Sequence, residues 1–106
     1  MEKKDNIIDS IVDIADRNHP DSEIFQYGSR AQGDEKVQSD WDLLILLDDN
    51  DITFEKEIQI MDDYYDLELE TGEVFSPLSY AKKDWIDHYL FSPLYNAIEQ
   101  VGIKLR

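Results

Sequence analysis

The sequence predicts an α/β (α+β) fold, a small mixed sheet of about three to four strands flanked by helices. Three observations lead there. The run from Asp40 to Leu47 begins with alternation and becomes continuously apolar, the pattern of a central strand covered on both faces. Apolar residues recur at steps of three and four both before and after it. Pro and Gly are few, with Gly 4 and Pro 3, and they fall where elements should end.

Taken in order, Ile7, Ile8, Ile11, Val12, Ile14 and Ala15 predict an amphipathic helix over roughly residues 5–17. Asn18-His19-Pro20-Asp21 breaks it, and Glu23-Ile24-Phe25-Gln26-Tyr27 reads as a short strand. Gly28 ends that strand, and Ser29 is suited to cap a short helix after it. Residues 34–39 form a polar loop before the Asp40–Leu47 strand, and Asp48-Asp49-Asn50-Asp51 is a solvated turn that lacks the glycine and terminal glutamate of an EF-hand. Phe54, Ile58, Met61, Tyr65 and Leu69 predict a long helix over 53–70, stopped by Gly72. Residues 73–80 form a third strand, where Pro77 indicates an edge or a bulge. Trp85, Ile86, Tyr89 and Leu90 mark a further helix. Ser92-Pro93 opens the last one, which ends at Gly102.

Residues 1–106 suit one domain, without repeats or linkers. Hydrophobic residues are 42% of the chain, with two Trp, six Tyr and four Phe, which is the composition of a folded domain. There is no cysteine, so disulfides and thiolate metal sites are excluded, and His19 and His88 lack zinc-ligand spacing. The longest apolar run, Leu43–Leu47, is too short to cross a bilayer, and no signal-peptide core is visible. The expectation is a cytoplasmic protein with no membrane association. The net charge of −15 disfavours direct nucleic-acid binding, which needs Lys and Arg against phosphates. It favours metal cations or a basic protein partner. A chain this short makes a shallow cleft, which a partner chain or a homo-oligomer would deepen.

The chemistry is concentrated between Gly28 and Leu43. Asp40 and Asp42 are two apart on a strand and therefore share a face. Two ionised carboxylates side by side repel, and a hard divalent cation offsets the repulsion. Gly28-Ser29-Arg30 leaves a strand for a helix, a geometry whose free N–H groups bind phosphate, with the Ser29 hydroxyl and the Arg30 guanidinium as further donors. Either half alone is more ordinarily a surface feature. In this order they meet the needs of metal-assisted phosphoryl transfer.

Gly28-Ser29-Arg30-Ala31-Gln32-Gly33 followed by Ser39-Asp40-Trp41-Asp42-Leu43 resembles the motif of the DNA polymerase beta nucleotidyltransferase superfamily. The length resembles its minimal nucleotidyltransferase (MNT) domains, and the stretch from Ser92 to Ile103 resembles their ending. The resemblance implies a nucleotidyltransferase fold. It also implies Mg²⁺ and a nucleoside triphosphate, with AMP transferred from ATP to an acceptor hydroxyl. Asp40 and Asp42 would be the catalytic metal ligands, and Gly28, Ser29 and Arg30 the nucleotide-phosphate site. It further implies an antitoxin-like role beside a HEPN-domain protein in a toxin–antitoxin pair.

The pattern departs at a third carboxylate that such enzymes place on the next strand. That position falls near Ser76; Glu73 and Glu70 are the acidic alternatives, and the sequence leaves the three open. Whether the chain turns over is open with them. A catalytically inactive module that neutralises its partner, and a small-molecule nucleotidyltransferase of the aminoglycoside-modifying kind, are the alternative functions. Trp41, Trp85, Tyr95 and one of Tyr64 and Tyr65 read as packing.

Overall fold

The computed structural model describes residues 3–28, 40–48, 52–88 and 92–106. Its elements are α1 (Lys3–Asn18), β1 (Glu23–Tyr27), β2 (Trp41–Leu47), α2 (Phe54–Thr71), β3 (Phe75–Ala81), α3 (Lys82–His88), α4 (Pro93–Val101) and β4 (Ile103–Lys104). Ser29 and Arg30, the helix expected after them, the loop to Ser39, the turn at Asp49–Asp51, and Tyr89 and Leu90 lie outside the described residues.

The strands form one mixed sheet in the order β3-β2-β1-β4. β1 and β2 pair antiparallel, whereas β2 and β3 pair parallel and need the α2 crossover between them. This gives β2 a neighbour on each side and accounts for its almost unbroken burial. One face of β2 packs with α1 and α2 through Trp41, Leu43, Ile45 and Leu47, joined by Ile7, Ile11, Ile60, Tyr64 and Leu67. The opposite face carries Leu44 and Leu46 against Trp85, Leu94, Tyr95 and Ile98.

Two details correct the sequence expectation. β4 was not anticipated. It is only two residues long, and it pairs antiparallel with Phe25 and Gln26. And α2 buries Ile60, Tyr64 and Leu67, not the Phe54–Leu69 stripe that suggested the helix. At about 100° per residue the two stripes lie about 130° apart around the axis.

The two ends of α2 fix its length and the start of β3. Thr53 caps the helix by accepting from Lys56 N–H, and Gly72 ends it in the left-handed region at φ 78°. The Glu68 carboxylate then accepts the Phe75 N–H at 2.8 Å, which sets where β3 begins. No described helix is long and apolar enough to cross a membrane.

Candidate functional site

The site forms where β1 ends and β2 and β3 begin. The Trp41 N–H donates to the Val74 carbonyl at 2.9 Å, which joins β2 to the chain entering β3. From there the register runs without a break from Trp41 opposite Phe75 to Leu47 opposite Ala81. Asp42 therefore lies opposite Ser76 on one side and opposite Tyr27 on the other. Directly opposed residues share a face, so Tyr27, Asp42 and Ser76 form a row across three strands.

Asp40 joins this row. The Ser76 hydroxyl donates to Asp40 Oδ2 at 3.1 Å. Trp41, between the two aspartates, points through the sheet into the core and stacks obliquely on Phe75 with ring centroids 6.2 Å apart.

Of the three residues considered for the third position, Ser76 stands beside the aspartates. Pro77 lies on β3, which is an edge strand, and the unbroken register contains no bulge that would bring Glu73 around. Glu73 precedes the strand, in the turn after α2, where its N–H is taken up by Thr71 Oγ1. Glu70 is an exposed residue of α2 and lines a cleft between α1 and α2. β3 starts at Phe75, too late to include either glutamate.

Gly28 sits against Asp42. Its φ is 81°, and a Cβ at this position would collide with the Asp42 carboxylate. Only glycine meets both demands at low cost. Tyr27 was not foreseen as part of the site, since its place depends on the β1–β2 register and no local motif marks it. Burial, the nearby Asp42 charge and Tyr80 push its phenol up to about 12.

Electrostatics set the chemistry. Burial raises the Asp42 carboxyl above its ordinary value, and the Asp40 charge raises it further. Among the described residues no cation offsets that rise. Nor does a third His, Cys, Asp or Glu among them join the pair to form a larger ligand cluster. Two carboxylates and a hydroxyl are an all-oxygen donor set that fits a hard divalent ion, which ordinarily keeps waters or phosphate oxygens in its other positions.

The fold has solved counterparts. The chain superimposes on a crystal structure of a toxin–antitoxin with AMP-PNP, with a TM-score of 0.67, 19% identity, and coverage of 93% of this chain and 72% of that one. A MntA-HpeT toxin–antitoxin variant with two aspartate-to-glutamate substitutions two positions apart matches with a TM-score of 0.69 and 16% identity, over 93% and 72% of the two chains. Another MntA-HpeT variant, with a tyrosine-to-alanine substitution, matches with a TM-score of 0.63 and 20% identity, over 92% and 70%. No curated protein matches the chain significantly. The family model described as "Polymerase beta, Nucleotidyltransferase" matches residues 9–91, a span that holds Gly28, both aspartates and Ser76, and the chain belongs to that family.

Proposed function

We propose that this chain is the nucleotidyltransferase half of a toxin–antitoxin pair. In this reading it transfers a nucleoside monophosphate, AMP from ATP, to a hydroxyl of a HEPN-type partner protein, the new bond forming at the α-phosphorus as the α–β phosphoanhydride breaks and pyrophosphate leaves. The observation that carries the reading is the row of Tyr27, Asp42 and Ser76, with Gly28 against Asp42 and Asp40 hydrogen-bonded to Ser76. The toxin–antitoxin neighbours support the partner, and the one with AMP-PNP supports an adenine nucleotide. The paired substitutions in the second neighbour have the spacing of Asp40 and Asp42.

Asp40 and Asp42 would hold Mg²⁺, which when bound neutralises charge developing on the triphosphate. Gly28 lets the nucleotide approach the backbone beside Asp42, and Ser29 and Arg30 would contact phosphate. Ser76 orients Asp40 through its hydroxyl. A serine cannot take the acceptor proton unaided, which leaves that work to the aspartates or to water.

The same serine favours a second reading, in which the chain binds nucleotide and partner without turnover. Calorimetry with ATP and Mg²⁺ tests the shared binding step. Binding should be present in the wild type and lost in Asp40→Asn/Asp42→Asn. Undiminished binding in the double variant sinks both readings. Labelled nucleotide appearing on a co-expressed partner separates the enzyme from the binder.

A further inference from the structure

The stripe of α2 that predicted the helix is the one the fold leaves uncovered. Phe54 is 74% exposed, Ile58 41%, Met61 59%, Tyr65 58% and Leu69 69%. At about 100° per residue these five fall within an arc of about 80°. At 1.5 Å per residue the stripe is about 22 Å long. Single exposed apolar residues are ordinary, but five large ones in a row mark a surface that is covered in use. A groove between Glu57 and Met61 of α2 and Pro77–Tyr80 of β3 runs beside it, and Leu78 is exposed there as well.

Charge indicates what covers it. Glu57 flanks the stripe on one side, and Glu55, Asp62 and Asp66 flank it on the other. The only basic residue of the helix, Lys56, lies on the far side of the axis from the stripe, about 180° from its middle. A second copy of this chain would bring one acidic rim against another, at a net charge of −15 each. A helix with an apolar stripe and lysines or arginines along both sides would be matched in both respects.

We infer that the Phe54–Leu69 stripe is the docking surface for an amphipathic helix of a basic-flanked protein partner. The stripe also leads towards the aspartates. Its Leu69 end continues through the Gly72 turn to Val74, whose carbonyl bonds to the Trp41 N–H beside Asp40. A partner helix laid along the stripe would end near the mouth of β2 and β3, where Asp40 and Asp42 project from the other face of the sheet. This second part rests on the proposed transfer to a protein, whereas the docking itself does not.

The probe is a synthetic sixteen-residue amphipathic peptide with a leucine stripe flanked by lysines, titrated by fluorescence anisotropy into the full chain. The lysine peptide should bind, and more weakly as salt rises. A glutamate-flanked peptide with the same leucines should bind at least tenfold more weakly. Met61→Ser/Tyr65→Ser, both on exposed side chains, should weaken the lysine peptide at least tenfold. Glu57→Lys/Asp62→Lys should shift preference towards the glutamate peptide. Equal binding of both peptides, no binding, or no effect of Met61→Ser/Tyr65→Ser overturns the inference. So does a wild-type dimer, seen by sedimentation, that Met61→Ser/Tyr65→Ser dissociates, since the occupant is then a second copy. ATP–Mg²⁺ calorimetry on the wild type keeps the two questions apart. Retained nucleotide binding with no peptide binding removes the docking surface alone; peptide binding without nucleotide binding removes the proposed function alone.

Discussion

The Ser76 hydroxyl donates to Asp40 Oδ2 at 3.1 Å, while the Ser76 backbone is in register with Asp42. One short side chain thus touches the first aspartate and stands opposite the second. An aspartate there would make a third carboxylate in the same row. Ser76→Asp should lower the melting temperature of the metal-free protein, because three like charges would share one strand mouth. With Mg²⁺ and ATP the same variant should transfer nucleotide faster, by about 100-fold if its carboxylate serves as base. Ser76→Ala removes one exposed hydrogen bond and should change stability by no more than about 1 kcal/mol. Thermal melts and labelled transfer on the three proteins check this; a Ser76→Asp variant with unchanged melting would show that the three groups do not meet.

Asp42→Asn should behave oppositely with and without metal. The folded carboxyl is raised chiefly by burial and then by Asp40, so the fold favours its protonated form. Its ionised form costs stability at pH values above the folded value, and the cost disappears as pH falls below it. Metal-free Asp42→Asn should therefore melt a few degrees higher than wild type at pH 7, an advantage that shrinks on acidification. Added Mg²⁺ should raise the wild-type melting temperature by mass action and leave the variant unmoved. A variant that melts lower at pH 7 would show that the carboxylate has a stabilising partner in the fold.

These residues also show how far the chain could be read in advance. Asp40 and Asp42 share a side of the sheet because a strand alternates, which a local pattern reveals. The identity of the third group depended on where β3 starts. That is set by the left-handed Gly72 and by the Glu68 carboxylate taking the Phe75 N–H, contacts between a helix end and a strand that no spacing rule encodes. The long helix was legible for an instructive reason. Its Phe54–Leu69 stripe is as apolar as the Ile60, Tyr64 and Leu67 stripe it buries, and periodicity identifies a helix without saying which stripe faces the core. β4 escaped notice because two residues carry no period, and it exists only through its pairing with Phe25 and Gln26.

Gly28 and Gly72 make a matched pair for testing the crowding at the site. Their φ values are 81° and 78°, so an alanine pays a similar conformational cost at either, about 1–3 kcal/mol. They differ in surroundings. A Cβ at Gly72 meets nothing within 4 Å, whereas one at Gly28 strikes the Asp42 carboxylate. Gly28→Ala should accordingly be the more destabilising by urea melts, and it should weaken ATP–Mg²⁺ binding where Gly72→Ala does not. Equal losses in the two variants would mean that Gly28 is needed for its backbone alone.

His19 gives the fold a dependence on pH away from the aspartates. It is buried at the end of α1, with Nδ1 hydrogen-bonded to Ser22 Oγ at 2.7 Å. Burial lowers its proton affinity below the ordinary 6.5, and the charges of Lys56 and Arg106 lower it further against an opposing pull from Asp63. Because the unfolded chain binds this proton more readily, the neutral ring's contribution is fully present above about pH 6.5. It is lost as pH falls from there through the folded value. Urea melts at pH 8 and pH 5 should show the wild type losing stability over that interval. In His19→Gln, which keeps a polar side chain but cannot titrate, the loss should be smaller, leaving mainly the change due to carboxylates. If both proteins lose the same amount between the two pH values, the His19 ring accepts its proton as easily in the fold as outside it.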